Sequence, residues 1–153
     1  MNWKIIITAG VILLSSAFCM AEDQQVSQHT ADNHPSYKEF VSSHTFPYQA
    51  PLERENRLRQ NYSRLTLELT KAQVEEILGE PDYASKIYSK SKEPGFLGWH
   101  WEYFFEKPNP KLRNLKLDKS IQVFFNTNGK TNWITSNVEG LGDIGPVRQP
   151  TTQ

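Results

Sequence analysis

The sequence predicts an α+β domain with two N-terminal helices packed on one face of a three-stranded antiparallel sheet, in ααβββ order. Three observations carry that expectation. Thr70 and Gln73 form a capping box directly ahead of Val74, Ile77 and Leu78, which fall on one helical face. Residues 97–106, LGWHWEYFFE, alternate with the period of a strand and gather Trp99, Trp101, Tyr103 and Phe105 on one side. Residues 120–136 read as a hairpin about Asn126-Thr127-Asn128-Gly129.

A chain of 153 residues accommodates one domain with tails. Basic and acidic residues balance at 17 each, so no strong nucleic-acid-binding field is expected. Residues 1–21 have the pattern of an export signal: Lys4, an apolar run over 5–14, and small residues toward Ala21. That run is shorter than the ~20 residues a membrane span needs. Cleavage after Ala21 removes Cys19 and leaves no cysteine, so stability must come from packing rather than a disulfide. The alternative is a lipid-bearing Cys19. Phe18 and Ser16, where a small and an aliphatic residue are wanted, argue against it.

Residues 22–50 are polar, with few aliphatics, and read as a disordered arm. His29, His34 and His44 match no metal-ligand spacing and are expected to be solvated. Tyr37, Phe40, Phe46 and Tyr48 are the groups able to pin the arm to the domain or to a partner. The domain proper is expected over 51–138. Pro51 suits the first turn of a helix running to about residue 64, with Glu53 and Arg57 as an i, i+4 pair. Its arginines, Arg54, Arg57, Arg59 and Arg64, read as a solvated face before they read as a binding strip. In the second helix Gly79 suits a left-handed cap and Pro81 a stop.

Residues 83–88 alternate weakly, as a short edge strand or an extended connection, and Pro94-Gly95 marks a turn. The connection over 107–119 concentrates Lys107, Lys111, Arg113, Lys116 and Lys119 against Asp118 alone. In the hairpin, a type I turn with Gly129 forming a bulge pairs Phe125 with Thr131 and Val123 with Trp133, placing Trp133 in the core. A tighter Asn-Gly turn shifts the pairing and sends Trp133 outward beside Phe124. The first register is preferred. It leaves Phe104, Phe124 and Ile134 on an open face, a patch for a partner unless the arm or the tail covers it. Residues 139–153, rich in Gly and Pro, read as a disordered tail.

These features together resemble the SmpA/OmlA family, the BamE-like domain of bacterial envelopes. The residues that carry the likeness are Leu69-Thr70-Lys71-Ala72-Gln73-Val74, Leu78-Gly79-Glu80-Pro81, Trp101-Glu102-Tyr103, and Ile121-Gln122-Val123-Phe124-Phe125-Asn126 closing on Asn128-Gly129. The likeness spans residues 65–138. At Glu68-Leu69 the chain departs from the Gly followed by Met that the family usually has. The resemblance implies two helices on a three-stranded sheet. It also implies a non-enzymatic accessory role in outer-membrane protein assembly or envelope integrity, with contact to anionic lipid.

Chemistry-bearing motifs are few. No nucleophile with a base, phosphate-cradling glycine loop or metal cluster is legible, so neither an enzyme nor a cofactor is expected. His100 and Glu102, two apart on one strand, are an acid–base pair in principle. They are more simply two exposed polar residues facing outward. The expected function is therefore an exported binding module, periplasmic or at the periplasmic face of the outer membrane. Its candidate partner surface is Phe104, Phe124 and Ile134 with the cations Lys111, Arg113 and Lys116, the latter also suited to anionic headgroups. The rival is a soluble periplasmic inhibitor of a single envelope enzyme. The same fold, doubled, resembles the β-lactamase inhibitor proteins, and the single copy here weighs against that.

Overall fold

Strand β3, Phe96–Lys107, is the spine of the sheet. In the computed structural model, which describes residues 33–91, 95–111 and 117–146, both of its edges are paired. Strand β4 (Lys119–Phe125) runs antiparallel along one edge, and β5 (Thr131–Ser136) pairs with β4 beyond it. Two short strands share the other edge: β2 (Tyr83–Tyr88) beside the first half of β3, and β1 (Tyr48–Gln49) at its end. The sheet is thus five-stranded, not three-stranded as expected, though the class remains α+β. In the gap between β1 and β2 the free ladder positions of β3 are taken up individually. Ala50 N–H donates to Phe105 O (2.9 Å), Asp82 N–H to Glu102 O (2.9 Å), and Phe104 N–H to Asp82 Oδ2 (2.6 Å).

One face carries α2 (Leu52–Asn61), a 3-10 turn (Tyr62–Arg64) and α3 (Lys71–Leu78). The α3 capping box is complete: Gln73 N–H donates to Thr70 Oγ1 (3.2 Å) and Thr70 N–H to Gln73 Oε1 (2.8 Å). An eight-residue helix is marginal alone, so packing must hold it. Val74, Ile77 and Leu78 close over Trp101, Tyr103 and Phe105, with Leu58, Leu65, Ile121, Val123, Phe125 and Ile134 in the same core. Each such burial stabilises by about 1.5–3 kcal/mol. Gly98 lies so close to β4 that a Cβ there would sit 1.9 Å from Phe125 O, which requires glycine.

The opposite face is covered too, and by the segment read as an unstructured arm. Residues 33–50 cross from the helix side around the β2 edge. His34 meets Trp101 edge-on (4.6 Å) and lies 3.6 Å from Glu75 Oε2, so it is docked rather than solvated. Ala84 N–H donates to Pro35 O (2.9 Å), after which a third helix, α1 (Tyr37–Ser43), begins at Ser36. Ser36 and Glu39 form a capping box legible in the sequence, which the polar composition around it masked. Phe40 stacks on Phe104 (5.0 Å, 27°) within a second core with Tyr48, Ala50 and Tyr83. The helices therefore occupy both faces, not one.

The β4–β5 turn forms as expected but the preferred register does not. Asn126 N–H donates to Lys130 O (2.8 Å), Gly129 takes φ +71, and Phe125 pairs with Thr131. The register then shifts: Phe124 pairs with Trp133 and Val123 with Ile134, leaving Asn132 as the extra residue of a bulge. The reason lies at Thr131. Its backbone bonds Leu69 O (2.8 Å) and Glu68 N–H (2.9 Å), and its hydroxyl donates to Thr66 O (2.9 Å), so it must face inward. Thr131 and Ile134, three apart, cannot both face inward on a regular strand, and the bulge absorbs the mismatch.

The start of the segment read as a disordered tail also docks. Ile134 and Ile144 exchange both backbone hydrogen bonds (2.8 Å each), and the Tyr62 hydroxyl donates to Gly142 O. Burial and nearby Asp143 push Tyr62 up from 10.0 to about 12. The native state keeps this proton where the unfolded chain loses it, so stability falls as pH rises through that window. Tyr62→Phe is expected to cost about 1 kcal/mol in urea unfolding at neutral pH, the cost shrinking above the ordinary tyrosine range. Glu68 sits at φ +69, a left-handed backbone that a side chain strains. Glu68→Gly is expected to raise unfolding free energy by about 0.5–1 kcal/mol.

Candidate functional site

The residues expected to share an open face are separated by the fold. Phe104 is 0% exposed beneath Phe40, and Ile134 is 0% exposed in the helix-side core, so neither can meet a partner. Phe124 does stay on the opposite face, half-buried between His100 (4.9 Å) and Trp133 (5.7 Å, rings tilted 33°). Trp133, placed in the core by the preferred register, is 38% exposed. Lys111 is exposed, while Arg113, Lys116 and Cys19 lie outside the described residues. Of the patch only Phe124 remains, and with Trp133 it forms an aromatic ledge flanked by Gln122, Thr135 and Ser85 at cross-strand positions.

His100 and Glu102 are not an exposed pair. Both are buried, at 3% and 0% exposure. His100 packs against Tyr83 (5.5 Å) and reaches Ser85 Oγ at 3.5 Å, while Ser120 Oγ donates to Glu102 Oε1 (2.7 Å). Nearby, Lys107 Nζ pairs with Asp118 Oδ2 (2.9 Å), out of water beneath α1. The desolvation cost of burying both charges offsets much of their attraction, so the pair adds little net stability although losing one partner would be costly. The face behind Phe104 is thus a mixed layer in which polar side chains answer one another.

A concavity of about 530 Å³ opens where α1, β1 and α2 meet, lined by His44, Tyr48, Arg54 and Asp82 with Thr45, Pro47, Gln49 and Pro51. Arg54 Nη2 reaches Asp82 Oδ1 (3.1 Å) and donates to Glu80 O (3.0 Å). Burial pushes the Asp82 carboxyl above its ordinary range, against the opposing pull of Arg54 and the Phe104 N–H. Burial and the Asp82 charge push Tyr48 up as well. Arg54 and Asp82 neutralise one another, so this concavity is first a joint between elements. Other arginines of this layer are engaged as well: Arg59 of α2 pairs with Glu55 (2.9 Å) and lies over Phe105 (5.2 Å), and Arg64 of the 3-10 turn bonds Asn61 (3.2 Å).

Among the described residues no group of three or more His, Cys, Asp or Glu side chains is placed to hold a metal, and no helix is long and apolar enough to cross a membrane. Comparison with known proteins finds no matching family model, curated protein or solved structure. The preferred register put Trp133 in the core and only its alternative sent it outward; the bulge that decides this is set by the partners of Thr131 in the 66–69 segment, outside the hairpin. Trp133→Ala is expected to change unfolding free energy by less than about 1 kcal/mol. Ile134→Ala, one residue on, is expected to cost about 2–5 kcal/mol. Equal costs would place both side chains in the core.

Proposed function

We propose that the chain is an exported, non-catalytic binding module of the SmpA/OmlA (BamE-like) kind, an accessory factor in outer-membrane protein assembly or envelope integrity. The observation that carries this reading is the Phe124–Trp133 ledge, two large aromatics packed against one another and left partly exposed on the face of the sheet away from α2 and α3. Tryptophan in such a setting is the residue type that anchors protein interfaces. Two features support the family likeness. Helix α3, with its Thr70–Gln73 cap, packs on the strand that carries Trp101 and Tyr103, which are among the residues on which the likeness rests. Glu68, where the family usually has glycine, adopts a glycine-favouring backbone.

A photo-crosslinking residue at position 133, in cells that export the chain, tests this directly. Adducts with outer-membrane assembly components support the reading. A single soluble enzyme as adduct would support the inhibitor reading instead, and no adduct would remove the ledge as an interface. The basic connection has its own test. Lys111, Arg113 and Lys116 each contribute about 1 kcal/mol if they reach anionic headgroups. Changing all three to Ser is then expected to weaken co-sedimentation with anionic liposomes at low salt, and unchanged co-sedimentation would remove lipid contact.

A further inference from the structure

We infer that Asn128, at the tip of the β4–β5 turn, is a site of spontaneous deamidation whose rate is held down by the side chain of Asn126. Asn128 is the only asparagine in the chain followed by glycine, so no side chain shields the following backbone nitrogen. It is exposed, and among the described residues its side-chain amide has no hydrogen-bond partner. Around Gly129 there is open space. Other asparagines differ: Asn137 Oδ1 accepts from Ser120 N–H (2.9 Å), and Asn126 and Asn132 precede Thr127 and Trp133.

The reaction needs only water. The Gly129 nitrogen, its proton passed to solvent, attacks Asn128 Cγ and closes a five-membered imide. The Cγ–Nδ2 bond breaks, and ammonia leaves with a proton from water. Water then opens either imide carbonyl, giving aspartate or isoaspartate. One water enters and one ammonia departs.

The fold opposes the first step. Gly129 N–H donates to Asn126 O (2.9 Å), and Asn126 Oδ1 accepts from both Asn128 N–H (2.9 Å) and Lys130 N–H (3.0 Å). The attacking nitrogen is released only when this turn opens locally, an event far cheaper than global unfolding at an exposed tip. Isoaspartate inserts one extra backbone carbon between Asn126 and Lys130. That disturbs the pairing from which Thr131 and the Asn132 bulge take their register.

The test incubates the full chain and the isolated 120–130 peptide in mildly alkaline buffer, then locates aspartate and isoaspartate by mass spectrometry after cleavage at lysine. Conversion is expected at Asn128 in the folded chain, more slowly than in the peptide. Asn126→Ala, which removes both bonds to Oδ1, is expected to speed it roughly five- to thirtyfold, the factor for one to two net hydrogen bonds. Asn126→Asp, which keeps the acceptor oxygen, is expected to stay near the original rate and guards against a variant that merely unfolds. No conversion in the folded chain, or equal rates for Asn126→Ala and the original, would overturn the inference.

Discussion

Strand β3 is buried from both sides, and the rest of the structure answers to that constraint. Its run Trp101-Glu102-Tyr103-Phe104-Phe105 sends Trp101, Tyr103 and Phe105 to one face and Phe104 to the other, all with almost no exposure. One set of helices cannot cover both. The α2–α3 layer takes the three-aromatic face, and the 33–50 segment is drawn around the β2 edge because Phe104 would otherwise face water. The polar residues on Phe104's side then need partners of their own. Ser120 supplies one for Glu102, and Asp118 one for Lys107.

Much of this was legible from local chemistry. The α3 cap, its apolar face and the aromatic strand are written in short-range spacing, and they lie where the pattern places them. The arm was misread for a reason that has a physical statement. Average composition over 22–50 is too polar for a core, yet Phe40 and Tyr48 need only one exposed ring, Phe104, to dock on. The hairpin register failed differently. The turn chemistry was right, but contacts from the distant 66–69 segment to Thr131 decide the pairing beyond it. No window of the hairpin sequence alone contains that information.

The candidate site follows from the same two outcomes. Because α1 covers Phe104 and the bulge turns Ile134 inward, only Phe124 of the expected three-residue patch stays on that face, where Trp133 joins it. The outward turn of Trp133 is a consequence of satisfying Thr131, so the exposed tryptophan and the strand defect have one cause. Asp82 plays a comparable double part near the α1–β1–α2 junction. It holds the Phe104 amide in the break between β1 and β2 while pairing with Arg54 of α2, tying that helix to the spine.

Native-state hydrogen exchange of the β3 amides tests the two-sided burial most directly. If both helical layers fold with the sheet as one unit, the Phe104 amide exchanges only through global unfolding, with the same free energy as Trp101 and Tyr103 and the same dependence on denaturant. A Phe104 amide that exchanges through a cheaper opening, while its neighbours stay protected, would show that the 33–50 segment is not part of the cooperative fold and would contradict the account.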